Sequence, residues 1–121
     1  MATLGMNGPY SLTKEDIDQR IPVGSIGNYA YGYKNNNGTF IVKYVGRSDT
    51  DLNDRIKHGI GTYKLYKYSL AKNVKEAYEK ECKNYHDFGG MEGKLDNDIH
   101  PAKPNNKDYE CPYCDNWELD I

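Results

Sequence analysis

Tyr44 and Arg55 are the residues whose types and spacing first suggest chemistry. The apolar run Phe40–Val45 predicts a β-strand that Gly46 ends, and Ser48 forms a capping box that starts a helix. Tyr44 then stands at the end of the strand, and Arg55 lies about one turn into the helix. The hydroxyl of the tyrosine and the guanidinium of the arginine are therefore directed at the same space.

A second tyrosine is expected beside the first. Gly27-Asn28-Tyr29 opens another strand, and the run Lys34–Gly38 ends in Asn-Gly, a strong signal for a hairpin. The hairpin brings Tyr29 alongside Tyr44. Two phenols and a guanidinium suit a phosphodiester better than they suit a hydrophobic core, although in a chain with twelve tyrosines both rings could simply be packing residues. Tyr31 shares a strand face with Tyr29 and is the alternative to it.

Glu81 is the acid that helical periodicity turns inward. The segment Val74–Tyr85 predicts an amphipathic helix in which Glu81 falls on the core-facing stripe. A buried carboxylate costs stability unless a cation meets it, and either a divalent metal or Arg55 would serve. The stripe contains Val74, Ala77, Tyr78, Cys82 and Tyr85.

These side chains fit the needs of phosphodiester hydrolysis, which requires an activated water and positive charge on the phosphate oxygens. Glu81 is the candidate sole protein ligand of one Mg²⁺ or Mn²⁺ ion, because hard cations of this kind keep several waters. Arg55 would hold the scissile phosphate with its planar fork. The alternative is an Arg55–Glu81 salt bridge in a domain without catalytic activity.

The order of these motifs resembles the GIY-YIG nuclease family over residues 27–97. The resemblance implies an α+β fold with a three-stranded antiparallel sheet flanked by helices. It also implies a metal-dependent endonuclease that cuts DNA by direct water attack, without a covalent intermediate. The matching features are Gly27-Asn28-Tyr29, Tyr44-Val45-Gly46, Arg55, Glu81 and Asn97.

The resemblance also implies roles for individual residues. Tyr29 resembles the general base of the family, Tyr44 would orient the attacking water, and Asn97 would order the site around Glu81. An unperturbed phenol titrates near pH 10, so Tyr29 would need a cation nearby to act as a base. Two supporting residues are expected: Arg47 for contact with the DNA backbone, and His58 for proton transfer or phosphate contact.

Composition and charge place these residues in the basic part of one small domain. Residues 43–83 carry ten Lys and Arg against six Asp and Glu, whereas residues 84–121 carry three against nine. A basic stretch favours a phosphate backbone as partner even though the whole chain has a net charge of -2. No apolar stretch is long enough for a membrane span, so we expect a soluble, cytoplasmic protein that does not bind membranes.

Three segments are expected along the chain. Residues 1–26 form an N-terminal extension in which residues 1–10 are loose and a short helix follows Thr13. Residues 27–99 form the GIY-YIG-like domain, with Tyr63–Leu70 as its third strand. Residues 100–121 form a tail of low hydrophobicity that carries a Cys-x-x-Cys pair.

The cysteines suggest a second site, independent of the family resemblance. Cys82 and His86 have i,i+4 spacing on one helix, and Cys111 and Cys114 form a Cys-x-x-Cys knuckle. Together they would make a Cys₃His zinc site that pins the tail to the helix of Glu81. His100 or His58 could replace His86, and a single buried cysteine with an unanchored tail is the alternative.

Three functions remain open from the sequence. The first is the metal-dependent DNA endonuclease, and the second is a nucleic-acid-binding or protein-interaction module on the same scaffold without turnover. The third is an inhibitory or regulatory domain acting through its acidic C-terminal part. Because a domain this small has no recognition module besides its catalytic face, cutting both DNA strands would take a homodimer, a partner protein or a larger complex.

Overall fold

The computed structural model describes residues 4–90, 93–97, 101 and 111. In these residues an antiparallel sheet of four strands, in the order β1-β4-β2-β3, is packed between helices. No helix in this part of the chain is long and apolar enough to cross a membrane. The elements are β1 (Asn7–Ser11), α1 (Lys14–Arg20), β2 (Gly27–Lys34), β3 (Phe40–Ser48), α2 (Leu52–Lys57), β4 (Leu65–Leu70) and α3 (Val74–Asp87).

The α+β class is therefore confirmed, but the expected count of three strands is one too few. Residues 7–10, expected to be loose, belong to β1, which pairs with β4 through Tyr10 opposite Tyr66. The glycines and proline of this segment hide its strand character in the sequence. Pro9 is tolerated because β1 is an edge strand, where a missing N–H interrupts no second ladder.

The hairpin between β2 and β3 is confirmed, but β3 does not end at Gly46. The Asn35 N–H donates to the carbonyl of Thr39, and Gly38 has a φ of 80°, which favours glycine. Pairing continues beyond the expected end, with Gly46 opposite Tyr29 and Ser48 opposite Gly27. Gly46 therefore acts inside the strand, opposite a large ring, and not as a strand breaker.

Helix starts follow capping chemistry, with one correction. The Thr13 hydroxyl accepts from the Asp16 N–H at 3.2 Å and begins α1 as expected. In α2 the N-cap is Asp51, whose side chain accepts from the Asp54 N–H. Ser48, expected to cap this helix, accepts from the Asp51 N–H at 2.9 Å and so shapes the turn before it. The cap lies three residues later because β3 runs as far as Ser48.

The two faces of the sheet bury different elements. On one face Tyr29 and Tyr31 pack with α1 and α2 through Ile17 and Ile56. On the other face α3 covers the sheet, and its Tyr85 packs with Val45. Most of the predicted inward stripe of α3 is confirmed, including Glu81, but Val74 is only half-buried and Asn84, which was not predicted, is buried. The buried residues are Ala77, Tyr78, Glu81, Cys82, Asn84 and Tyr85.

Candidate functional site

An open cleft of about 310 Å³ lies on the tyrosine face of the sheet. Its wall combines Tyr29 from β2, Tyr44 from β3, and Arg55 and His58 from α2 and its C-terminal cap. These residues come from three separate elements, and the fold brings them to one opening. The complete lining is Tyr29, Tyr31, Tyr44, Arg55, His58, Gly59, Thr62 and Tyr63.

The phenol of Tyr29 lies directly over Gly46. A Cβ atom at position 46 would be 2.5 Å from both the Cζ atom and the hydroxyl oxygen of Tyr29, well inside van der Waals contact. The rings of Tyr29 and Tyr44 are stacked, with centroids 6.2 Å apart. The glycine of the Tyr44-Val45-Gly46 motif therefore makes room for the tyrosine of the other motif.

Tyr31 has a structural role that distinguishes it from Tyr29. Its hydroxyl donates to the carbonyl of Ile56 at 2.9 Å and lies 3.3 Å from the carbonyl of Arg55, so it ties β2 to the end of α2. It also leans over Gly59, where any side chain would collide with the ring. Because this hydroxyl is held by backbone carbonyls, Tyr29 is the better candidate for chemistry.

The environment of Tyr29 keeps its phenol protonated. Burial raises the pKa of Tyr29 far above its usual value, and Tyr31 and Tyr44 raise it further. Arg55 opposes this shift, whereas the negative charge of Glu81 adds to it. Arg55 and Glu81 are therefore both within electrostatic reach of the Tyr29 hydroxyl, although Glu81 belongs to α3 on the other face of the sheet.

Glu81 forms its ion pair with Arg47 and not with Arg55. Arg47 Nη1 lies 2.5 Å from Glu81 Oε1, and only about 10% of each side chain is exposed. The Arg55–Glu81 salt bridge expected as the alternative is therefore wrong. The reason is strand alternation: Tyr44 and Gly46 point toward the tyrosine face, so Arg47 points toward α3.

Arg47 forms ion pairs with two carboxylates. Its Nε donates a hydrogen bond to Asp49 Oδ1 at 2.8 Å, and its Nη1 donates one to Glu81 Oε1. Burial raises the pKa of Glu81 to about 7, and the opposing effect of Arg47 does not cancel it. Asp49 adds to the rise, and Arg55 contributes a smaller lowering. The negative charge of Glu81 is thus only partly compensated.

Asn97 supports the edge of the sheet beside the cleft. Its Oδ1 accepts from the Val45 N–H at 3.0 Å, and its Nδ2 donates to the Val45 carbonyl at 2.7 Å. The neighbouring Asp96 N–H donates to the carbonyl of Lys43. Asn97 was expected to order the site around Glu81; in the structure it pairs with the β3 backbone between Tyr44 and Gly46.

Arg55 and His58 are the solvent-facing basic side chains of the cleft. Both are exposed, and His58 Nε2 lies 3.5 Å from Asp54, an exposed carboxylate one turn earlier. Arg47 by contrast is engaged by two carboxylates, so its expected contact with a DNA backbone would require releasing one of them. Of the predicted cations, Arg55 is the best placed to meet a phosphate.

The predicted zinc ligands are only partly described by the structure. Cys82 and Cys111 are buried free thiols in one cluster with Tyr78, and Cys111 Sγ lies 3.5 Å from His86 Nε2. Cys114 and His100 fall outside the described residues. Within the described part of the chain, no three Cys, His, Asp or Glu side chains form a group able to hold a metal.

Sequence reasoning missed two residues of the site. Asp49 shares Arg47 with Glu81, and its position two residues after Arg47 was an available signal. Tyr63 lines the cleft, stacks on Tyr31 with centroids 4.9 Å apart, and donates from its hydroxyl to Asp96 at 2.8 Å. Tyr63 was expected to begin the third strand, but β4 begins at Leu65, so Tyr63 lies in the loop before it.

Comparisons with known proteins add no relative to this description. Models of protein families, curated proteins and solved structures were each compared with the chain, and none of them matches.

Proposed function

We propose that this chain is a metal-dependent endonuclease that hydrolyses DNA phosphodiester bonds by direct water attack. The observation that carries the proposal is the cleft, in which Tyr29, Tyr44 and Arg55 from three separate elements meet at one solvent-accessible opening. Their order along the chain resembles the GIY-YIG nucleases, and Glu81 follows on a later helix as that resemblance requires.

Each cleft residue has a role that its surroundings support. Arg55, exposed and without a resolved ion pair among the described residues, would bind the scissile phosphate through its planar fork. Tyr29 would take a proton from the attacking water, and Tyr44 would orient that water. Since burial keeps the phenol of Tyr29 protonated, Tyr29 can act as this base only after it has released its own proton to solvent through the open cleft, a loss that positive charge entering the cleft would favour. His58, at the cleft rim, would contact the phosphate or the leaving oxygen.

Glu81 fits the role of metal ligand for Mg²⁺ or Mn²⁺. It is a buried carboxylate whose pKa is raised to about 7 even beside Arg47, so a further cation would be stabilised there. Asp49, the other partner of Arg47, is a nearby oxygen donor that is partly exposed. When bound, the ion would neutralise phosphate charge and make the attacking water more acidic. Arg47 would then keep Asp49 as its partner.

A second candidate function has its own support. The buried Arg47–Glu81 ion pair already gives the Glu81 carboxylate a positive partner without any metal ion. A nucleic-acid-binding or protein-interaction module without turnover would need no more than this pair. In that case Arg55 would still present positive charge to a phosphate backbone, but no bond would be cleaved.

A plasmid assay separates these two functions. Supercoiled DNA is incubated with the protein and Mg²⁺ or Mn²⁺, and binding is measured in parallel by gel retardation with a chelator present. The endonuclease predicts cleavage by the wild type and none by Glu81→Ala, with DNA binding retained in both. Glu79→Gln on the same helix is the matched control and should cleave normally. Equal inertness of all three proteins, with binding intact, would favour the module.

A further inference from the structure

We propose that the cleft binds a nucleotide whose base has left the DNA double helix, with the base stacked on Tyr44 and Tyr63 and its phosphate at Arg55. The proposal rests on the proposed function, because it names the form in which DNA enters that site. Binding without a metal ion tests it, so its outcome is separate from that of any cleavage assay.

The wall of the cleft is more aromatic than basic. Four of the eight described residues that line it are tyrosines, and its basic side chains are Arg55 and His58. A groove that held only the backbone of a duplex would need positive charge along its length, because phosphate contacts dominate such binding. Tyrosine rings instead offer flat surfaces on which unpaired bases stack.

Two of the four rings are accessible from the cleft. Tyr29 and Tyr31 are buried, with only 3% and 4% of their surface exposed, whereas Tyr44 and Tyr63 are half-buried. The ring centroids of Tyr44 and Tyr63 lie 6.5 Å apart, so the two rings form one continuous aromatic wall. They come from β3 and from the loop before β4.

Tyr63 is held in place before any ligand arrives. Its ring stacks on that of Tyr31, with centroids 4.9 Å apart and planes 15° from parallel. Its hydroxyl donates to Asp96 Oδ2 at 2.8 Å, which fixes the other end of the side chain. A base that stacks on a ring already fixed in this way costs little further ordering of the protein.

The charges around the cleft set the direction of the nucleotide. The exposed carboxylate of Asp96 at the Tyr63 hydroxyl repels phosphate from that ring, whereas the exposed guanidinium of Arg55 attracts it. The base is therefore directed to the tyrosines and the phosphate to Arg55.

The size of the cleft suits one nucleotide and not a double helix. At about 310 Å³ it lies at the lower end of the volumes, about 300 to 1,000 Å³, that hold small organic ligands. Within a duplex the faces of each base are covered by its neighbours, so a base reaches the rings only by leaving the stack. Single strands and opened sites do not pay this unstacking cost.

Binding of short DNA in the presence of a chelator tests the proposal. Fluorescence anisotropy compares labelled oligothymidine with a labelled duplex of the same length at the same low salt concentration. We expect the single strand to bind more tightly by about 10-fold or more, because its bases are free to stack. Attraction to phosphate alone predicts the opposite order, since the duplex carries twice the charge. A duplex bound as tightly as the single strand, or no measurable binding of either, would overturn the proposal.

Variants of Tyr63 test the stacking surface. Tyr63→Leu should lower the affinity for oligothymidine by about 5-fold to 150-fold, the range expected for one stacked base. Tyr63→Phe keeps the ring and should bind as the wild type does. Tyr33→Leu is the matched control, because Tyr33 is a 46% exposed tyrosine of β2 that does not line the cleft, and its affinity should not change.

An abasic strand decides the question even if Tyr63→Leu fails to fold. The wild type should bind a strand of the same length whose residues lack bases more weakly than oligothymidine, because the phosphates alone remain. Equal affinity for the two strands would overturn the proposal. A preference for oligothymidine in a protein that cuts no DNA would support this proposal and count against the proposed function alone.

Discussion

Arg47 Nη1 lies 2.5 Å from Glu81 Oε1, and this pair connects the edge strand of the sheet to the helix behind it. The same guanidinium holds Asp49, so one cation serves two acids. This arrangement leaves the negative charge of Glu81 only partly compensated, on the face of the sheet opposite the cleft of Tyr29, Tyr44 and Arg55.

Removing Arg47 should destabilise the fold strongly. Arg47→Met leaves Glu81 buried without its partner, which typically costs about 3 kcal/mol in the free energy of unfolding. The double variant Arg47→Met, Glu81→Met removes both charges and should recover most of this loss. Urea unfolding at neutral pH measures both effects. If the double variant were as unstable as Arg47→Met, the unpaired charge of Glu81 would not be the cause of the lost stability.

The stability of the protein should depend on pH through Glu81. Burial raises its folded-state pKa to about 7 from an ordinary value near 4.5, so between these values the folded state holds a proton that the unfolded state has lost. The stabilisation from this proton is complete below about pH 4.5 and disappears as the pH rises through 7, with a slope of at most about 1.4 kcal/mol per pH unit.

The comparison that isolates this effect is wild type against Glu81→Gln. The difference in unfolding free energy, wild type minus variant, should fall as pH rises from about 4.5 to 7, because the glutamine does not titrate. Denaturant unfolding at several pH values measures it. A difference that is flat, or that grows with pH, would contradict the raised pKa.

Tyr29 and Tyr31 should respond differently to loss of the hydroxyl. Tyr29→Phe keeps the ring over Gly46 and should change stability little, but it removes the proposed base, which is typically worth about 100-fold to 10,000-fold in rate. Tyr31→Phe removes the bond to the Ile56 carbonyl and should cost about 1 kcal/mol. Cleavage rates and thermal unfolding of the two variants are compared. If Tyr31→Phe lost more activity than Tyr29→Phe, Tyr31 would be the better candidate for the base.

Asn97 should affect both stability and activity through the β3 edge. Asn97→Ala removes two hydrogen bonds to the backbone of Val45, which we expect to cost about 1 to 2 kcal/mol and to loosen the segment that carries Tyr44. Asp96→Ala in the same segment is the control for exchange at Val45, since it removes the acceptor of the Tyr63 hydroxyl but keeps the backbone bond to Lys43 and both bonds of Asn97. Unfolding by denaturant and hydrogen exchange at Val45 measure the effect. Unchanged exchange in Asn97→Ala would rule out this role.

Local signals predicted much of this fold, for reasons visible at particular residues. The Asn-Gly turn, the Thr13 cap and the inward register of Glu81 each depend on a few neighbouring residues, and the structure agrees with all three. The first strand was missed because its pairing comes from β4, more than fifty residues away. Its glycines and proline gave no periodicity of their own.

The partner of Glu81 could have been predicted but was not. Alternation along β3 separates Arg47 from Tyr44 and directs it to the opposite face, where α3 lies. Asn97 could not be placed in this way, since its bonds to Val45 join residues 52 positions apart. Tyr29, Tyr44 and Arg55 were easier to predict, because the hairpin and the short helix that carry them each have local sequence signals.

The single-turnover rate of DNA cleavage, measured with protein in excess over a labelled duplex and Mn²⁺ present, tests the account most directly. The account predicts that the wild type cuts the duplex and that Glu81→Gln and Arg55→Ala each lower the rate by about 100-fold or more, while Glu79→Gln leaves it unchanged. A folded wild type that binds DNA but leaves the duplex intact, or a Glu81→Gln variant that cuts at the wild-type rate, would contradict it.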